Sequence, residues 1–382
     1  MKNKIKLLSV VSILLIISTV FTGCNSSKKY ANTPYKYIAL SSNTSGMTKI
    51  IKIGADNSII QKRTSLLSAI ALGGFTNQPQ WENNLIYAEA SNSMTNGKFG
   101  IISIDPITLK AKKVPGEVGA TSFFVDGETV YTGMAAPETS RITKSKITDS
   151  QKNLSKFPTL NLKGILSTIF VDENYLYAVC GKYNTPDNTF SADSSIMGIT
   201  LNKINKESLE ILEEYTIEGY TGCEIFLATD TDIYLLVSEI QPSSPPQIDG
   251  YKTHEQNKQL SVVCKFNKET KETTFIKLPF EDADYMAFSG NKLYVAGGGS
   301  PDDYYNSGYY TSFVEINPTT DQIERAINLP FFSFEHYVTD DLFVALDGMN
   351  IYEYNLKDMS LKSTIKLTDE KSKSYNSFVI KQ

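Results

Sequence analysis

Histidine is nearly missing from this chain: His254 and His336 stand 82 residues apart, with no carboxylate or cysteine at a ligand spacing from either. A histidine-based metal centre is therefore not expected, and no metal ligand is assigned. Cysteine is almost as sparse. Of the four, Cys24 belongs to the leader considered next. That leaves Cys180, Cys223 and Cys264, an odd number at spacings of 43 and 41 residues that match no zinc pattern. A chain of 382 residues does not need a disulfide framework, so buried thiols outside any bridge are the first expectation. Basic charge is lacking too: 37 Lys and Arg stand against 42 Asp and Glu, which excludes the basic footprint of a nucleic-acid partner. No Gly-x-Ser-x-Gly elbow occurs. Gly297-Gly298-Gly299-Ser300 is followed by neither Lys-Ser nor Lys-Thr and by no helical period, so it reads as a strand exit and not as a phosphate loop. No catalytic residue and no cofactor are assigned.

Long apolar runs are also absent except at the start. Lys2, Lys4 and Lys6 precede residues 7–21, an apolar run broken only by Ser9, Ser12, Ser18 and Thr19. That is the form of an export signal, and its fifteen residues fall short of the roughly 20 needed to span a bilayer. The run ends in Phe21-Thr22-Gly23-Cys24, which resembles a bacterial lipobox. The resemblance implies cleavage after residue 23, lipidation of Cys24 on sulfur, and a location on the extracytoplasmic face of the cell membrane. Residues 24–34 are polar and aperiodic and read as a tether. Loss of residues 1–23 removes three lysines and no acid, leaving 34 basic against 42 acidic residues, a net charge of −8 that favours solubility and a monomer.

What the chain does have is a repeat. Short alternating runs recur around Tyr37, Tyr87, Tyr131, Tyr177, Tyr234, Tyr294 and Phe343, at steps of 50, 44, 46, 57, 60 and 49 residues. Each is followed by a hairpin with a polar turn, and six are preceded by a further short strand, as in Thr121-Ser122-Phe123-Phe124-Val125 before Asp126-Gly127. Steps of this size suit one four-stranded blade each, so the fold class is all-β, a seven-bladed propeller over residues 35–382. The first copy lacks the preceding strand. Tyr375-Asn376-Ser377-Phe378-Val379-Ile380 has that composition and no partners of its own, so the C-terminus is predicted to complete the first blade and close the ring.

The hairpins over residues 101–114 and 313–329, with their Ile-Asp-Pro-Ile-Thr and Ile-Asn-Pro-Thr-Thr turns, resemble the Tyr-Val-Thr-Asn type repeats of the quinoprotein-like propeller superfamily. The Trp-Asp signature of another propeller group is absent, as are the Trp-rich repeats of quinone-dependent dehydrogenases. The resemblance therefore implies a fold and no activity.

Function is sought in the departures from the repeat. Residues 181–195, 238–259 and 297–311 are long insertions between the second and third strands of three successive blades, which puts them side by side on one face. They carry exposed-type aromatics beside acids, and the densest set is Tyr304, Tyr305, Tyr309 and Tyr310 with Asp302 and Asp303, the composition of a recognition surface. These six are the predicted binding residues, with a protein or glycan of the cell envelope as partner. Drifted, self-packed loops are the plainer reading of the same residues, and an enzyme acting on an envelope polysaccharide is the third. Cys180 and Cys223 both map close to this face, which makes them candidates for a disulfide.

Overall fold

A computed structural model of the protein describes residues 33–42, 48–65, 79–90, 100–117, 119–136, 139–185, 188, 195–240, 260–299, 310–331, 333, 335–347, 349–367 and 375–380. The leader, Cys24 and most of the tether lie outside these residues, as do Asp302, Asp303, Tyr304, Tyr305 and Tyr309.

Among the described residues, twenty-eight strands form seven four-stranded antiparallel sheets. Blade 1 holds β1 (Tyr35–Ser42), β2 (Thr48–Gly54) and β3 (Ile59–Ser65), and blade 2 holds β4 (Gln80–Glu82), β5 (Leu85–Ala90), β6 (Gly100–Ile104) and β7 (Ala111–Val114). Blade 3 holds β8 (Ser122–Asp126), β9 (Thr129–Met134), β10 (Ser140–Lys146) and β11 (Thr159–Leu162), with a short 3-10 turn at Gln151–Lys156 before its last strand. Blade 4 follows with β12 (Leu166–Val171), β13 (Tyr175–Tyr183), β14 (Ile196–Asn205) and β15 (Ile211–Glu218). Blade 5 has β16 (Tyr220–Ala228), β17 (Asp232–Glu239), β18 (Ser261–Asn267) and β19 (Thr273–Lys277). Blade 6 has β20 (Ala283–Ser289), β21 (Lys292–Gly299), β22 (Tyr310–Asn317) and β23 (Gln322–Leu329). Blade 7 has β24 (Glu335–Val338), β25 (Leu342–Leu346), β26 (Asn350–Asn355) and β27 (Leu361–Lys366), and the chain ends in β28 (Tyr375–Ile380).

The ring closes as the repeat predicts. β28 pairs antiparallel with β1, from Tyr37 opposite Ile380 to Ser42 opposite Tyr375, giving blade 1 the order β28-β1-β2-β3. Seven apolar clusters fill the seven gaps between neighbouring sheets, so no blade has a core of its own and each is stabilised by burial against both neighbours.

The strand register corrects the sequence alignment at its two ends. Tyr87, Tyr131, Tyr177, Tyr234 and Tyr294 lie opposite Ser103, Lys144, Lys203, Lys265 and Glu315, and all five pack toward the following blade. Tyr37 and Phe343 instead lie opposite Ile53 and Tyr354 and pack toward the preceding blade; the tyrosine position is occupied there by Ile38 and Val344. The aromatic alignment is thus one residue out of step in blades 1 and 7. Both faces of a blade are buried, so an aromatic fits on either, and a one-residue shift leaves the apolar pattern intact.

The turn between third and fourth strands shows how sequence dictates local structure. In five blades an Asp or Asn at its start accepts backbone N–H groups. Asp105 Oδ1 takes Ile107 N (2.8 Å), and Asn205, Asn267, Asn317 and Asn355 do the same for Glu207, Glu269, Thr319 and Lys357. Four residues on, the chain turns left-handed at Leu109, Leu209, Lys271, Asp321 and Met359 (φ 54–65°), and each N–H returns to the first residue's carbonyl at 2.7–3.0 Å. A left-handed leucine costs roughly 1–2 kcal/mol. Leu109 and Leu209 are buried in the clusters facing blades 1 and 3, and burial of that kind contributes about 1.5–3 kcal/mol, enough to offset the strain.

Candidate functional site

Antiparallel order divides the connections between two faces. Turns between first and second strands, and between third and fourth, lie on one face, the turn face. Connections between second and third strands, and the crossovers from one blade to the next, lie on the other. The long insertions root on this second face: Tyr183 and Ile196 bound the first, Glu239 and Ser261 the second, and Gly299 and Tyr310 the third, on the neighbouring blades 4, 5 and 6. The strands run further into these segments than the sequence suggested. β21 continues through all three glycines to Gly299, opposite Tyr310, so Tyr310 is the first residue of a strand, half-buried, and not a loop residue. Gly297 is there for contact: a Cβ on it would lie 2.3 Å from the Asp282 carbonyl oxygen and 2.6 Å from Ala283 Cα, where the inner strand of the same blade begins.

The insertion face brings together a polar cluster that sequence reasoning did not find. His336 at the start of β24 is buried, and its Nε2 lies 2.6 Å from Ser333 Oγ. Its Nδ1 lies 2.9 Å from Asp284 Oδ1 on the inner strand of blade 6, off the line of a good hydrogen bond. Ser333 N–H donates to Thr311 Oγ1 (3.0 Å), and Thr311 in turn donates to the Phe331 carbonyl (2.9 Å). With that proton committed, the Ser333 hydroxyl can donate to His336 Nε2, and a carboxylate beside Nδ1 favours the tautomer that makes Nε2 the acceptor. Serine, histidine and aspartate in this order of contact have the chemistry of an activated nucleophile, but Ser333 is 0% exposed. Ser333 and His336 are three residues apart, a visible signal; Asp284 comes from another blade and is placed only by ring packing.

The hydroxyl at the start of the third strand recurs as a structural device. Ser140 accepts Leu166 N–H (2.9 Å) and Ser261 accepts Ala283 N–H (3.0 Å), as Thr311 accepts Ser333 N–H, so each ties one blade to the entry of the next. Between blades 2 and 3 the buried Glu117 takes hydrogen bonds from Arg141 (2.7 Å) and Thr143 (3.1 Å) on the same face. Near the second-to-third connection of blade 2, burial pushes the Glu89 carboxyl up to about 7.

The candidate disulfide is overturned: Cys180, Cys223 and Cys264 are buried and form no bridge among themselves. Cys180 packs in the cluster between blades 3 and 4, whereas Cys223 packs between blades 4 and 5, so the sheet of blade 4 separates the two. Burial pushes the Cys180 and Cys264 thiols up to about 12, which makes them poor nucleophiles. Among the described residues no three His, Cys, Asp or Glu side chains converge as ligands for a metal ion.

No protein-family model matches the sequence, and no curated protein matches it either. Solved structures do. A variant of the apocarotenoid oxygenase of Synechocystis superposes with a TM-score of 0.55 at 9% identity, over 91% of this chain and 93% of that one. Hydrazine synthase of Kuenenia stuttgartiensis superposes with a TM-score of 0.50 at 11% identity, over 84% of this chain and 90% of that one. At such identities the likeness carries the fold alone. The protein is a seven-bladed β-propeller.

Proposed function

We propose that this propeller is a lipid-anchored binding module of the cell envelope, held at the extracytoplasmic face of the membrane through Cys24 and engaging a protein or glycan with its insertion face. The observation that carries the reading is the asymmetry of the ring. Three neighbouring blades carry long second-to-third connections rooted on one face, while the five matched turns of the opposite face repeat one compact design. Recognition on rigid scaffolds is commonly given to such extended connections. Tyr304, Tyr305, Tyr309 and Tyr310 are the anchors in this proposal, because tyrosine offers contact area with only two side-chain torsions to immobilise, and Asp302 and Asp303 supply polar selectivity. Replacing the four tyrosines with alanine leaves the melting temperature near the parent's and abolishes capture of the partner from a cell-envelope extract. A folded variant that still captures it sinks the assignment, and a variant that unfolds shows that the tyrosines serve packing and not recognition.

The Ser333–His336–Asp284 contact favours a second reading, an extracytoplasmic enzyme acting on an acyl ester of an envelope polysaccharide or related substrate, in which Ser333 would attack the ester carbonyl and His336 would be its base. Its complete burial counts against it. A fluorophosphonate probe that labels the folded parent but not Ser333→Ala would establish this reading; an unlabelled parent removes it.

A further inference from the structure

The chain joins the ring at Tyr35, opposite Gly54 at the end of β2 and next to the β2–β3 turn, and its last described residue, Ile380, lies opposite Tyr37. Both points are on the turn face. The roots of the three insertions are on the other, at the far ends of the strands. We propose that the turn face is the surface the protein presents to the bilayer, with the ring standing on residues 24–34 and the insertion face directed outward to the envelope. This orientation rests on the lipid-anchor reading given above.

Chain dimensions decide between the orientations. A random coil as long as residues 24–34 would have an r.m.s. span of about 18 Å, with a fully extended limit of about 38 Å. The ten residues of β14 (Ile196–Asn205), which run from one face to the other, set the height of a blade at about 30 Å. With the turn face down, the relaxed tether spans its gap without strain. With the insertion face down, the same tether would have to run the full height of the blade to reach the bilayer, close to its contour length.

Charge opposes this arrangement, though weakly. The turns of that face carry fifteen carboxylates against seven lysines, and part of the lysine charge is drawn inward, as where Lys206 Nζ donates to the Asp172 and Glu173 carbonyls at 3.2 and 3.1 Å. Anionic headgroups therefore repel the face. The screening length is about 8 Å at physiological ionic strength, well short of the relaxed tether, so the repulsion holds the ring off the surface without turning it over.

Two positions in one blade test the orientation. Ser208, in the turn after β14, and Ser195, just before β14, are both exposed and stand at its two ends. Cys180, Cys223 and Cys264 are buried, and an acylated Cys24 takes no thiol reagent, so Ser208→Cys and Ser195→Cys each provide a single labelling position. Each full-length variant is labelled with a fluorophore and reconstituted in vesicles whose headgroups carry an acceptor dye, a quencher that acts by energy transfer over tens of ångströms. The expected result is marked loss of fluorescence from the Ser208 position, with the Ser195 position near its signal on quencher-free vesicles. Equal quenching, as from a ring lying on its rim, or stronger quenching at Ser195 overturns the orientation while leaving the anchor standing. A parent protein that fails to float with vesicles and whose Cys24 takes the label overturns the anchor, and the orientation falls with it.

Discussion

On the turn face, five blades repeat one hairpin almost atom for atom, and basic side chains tie that hairpin to the blade before it: Lys144 Nζ donates to the Lys206 carbonyl (2.8 Å), Lys265 to Pro318 (2.7 Å) and Arg325 to Leu356 (2.6 Å). The insertion face repeats little beyond a hydroxyl at the start of three third strands, and its ion pairs share no pattern: Lys182 and Glu218 stand 3.6 Å apart at the periphery, whereas Arg141 meets the buried Glu117 at 2.7 Å. The comparison separates two kinds of residue. Repetition marks where the backbone must be satisfied and the ring held together. Departure from it marks where the chain was free to vary without loss of the fold, and surfaces for partners are built in such places.

The harshest way to break the comparison is to open the ring. Deleting residues 375–382 removes β28, exposes the β1 edge and undoes the closure that both faces depend on. A fall in melting temperature of at least about 10 °C, with the parent's size-exclusion peak shifting to larger species, is expected; a truncated protein that melts with the parent contradicts the closure.

A smaller effect comes from the closing interface itself. Glu353 of blade 7 is 1% exposed and is contacted by the Tyr37 hydroxyl, Lys36 and the Ser363 hydroxyl. Glu353→Ala is expected to cost about 3 kcal/mol in urea denaturation, the low end for a buried pair, because Lys36 can turn toward solvent. Burial alone would raise the Glu353 pKa, but the hydrogen bonds from Lys36, Ser363 and Tyr37 and the charge of Lys36 outweigh it and leave it lowered. A lowered folded-state value means that this stabilisation is present above the unfolded pKa, about 4.3, and is lost as pH falls through the folded value. Stability measured between pH 5 and pH 3 should therefore fall less steeply in Glu353→Gln than in the parent, and parallel slopes would show that the group does not report on closure.

At the turn, the order of two substitutions is the test. Leu209→Ala is expected to lose about 2–3 kcal/mol of packing. Leu209→Gly, which loses the same side chain, should be about 1 kcal/mol more stable than the alanine variant, because residue 209 is left-handed (φ 58°). A glycine variant less stable than the alanine variant would mean that the turn does not keep this conformation.

The mildest pair sets one face against the other. Lys144→Met removes a donor to the next blade's turn and should cost about 1–2 kcal/mol. Lys182→Met, at the insertion face, should stay within about 0.5 kcal/mol of the parent. Equal losses would erase the distinction drawn between the faces.

Much of this was legible in the residues. The step between aromatic runs, the Asp and Asn turn starts and the composition of residues 375–380 sufficed for seven blades and their closure. The slip at Tyr37 and Phe343 was not legible, because either side of an inner blade accepts an aromatic. Nor was the contact of Asp284 with His336, which joins residues 52 apart through the packing of blade 6 on blade 7. Nor is the left-handed turn at Leu109 and Leu209 legible, because leucine is the wrong residue by propensity and only its burial explains it.

By itself, then, the order of residues determined the local elements and their number: period-2 patterning makes strands, Asx residues start turns, and seven copies make a ring. Tertiary structure alone decided which side of each strand faces which neighbour, that Cys180 and Cys223 lie on opposite sides of one sheet, and at which face the chain enters the ring at Tyr35. The physical reason is that strands and turns are set by interactions a few residues apart, whereas facing and register are set by contacts between blades, and these exist only once the ring has closed.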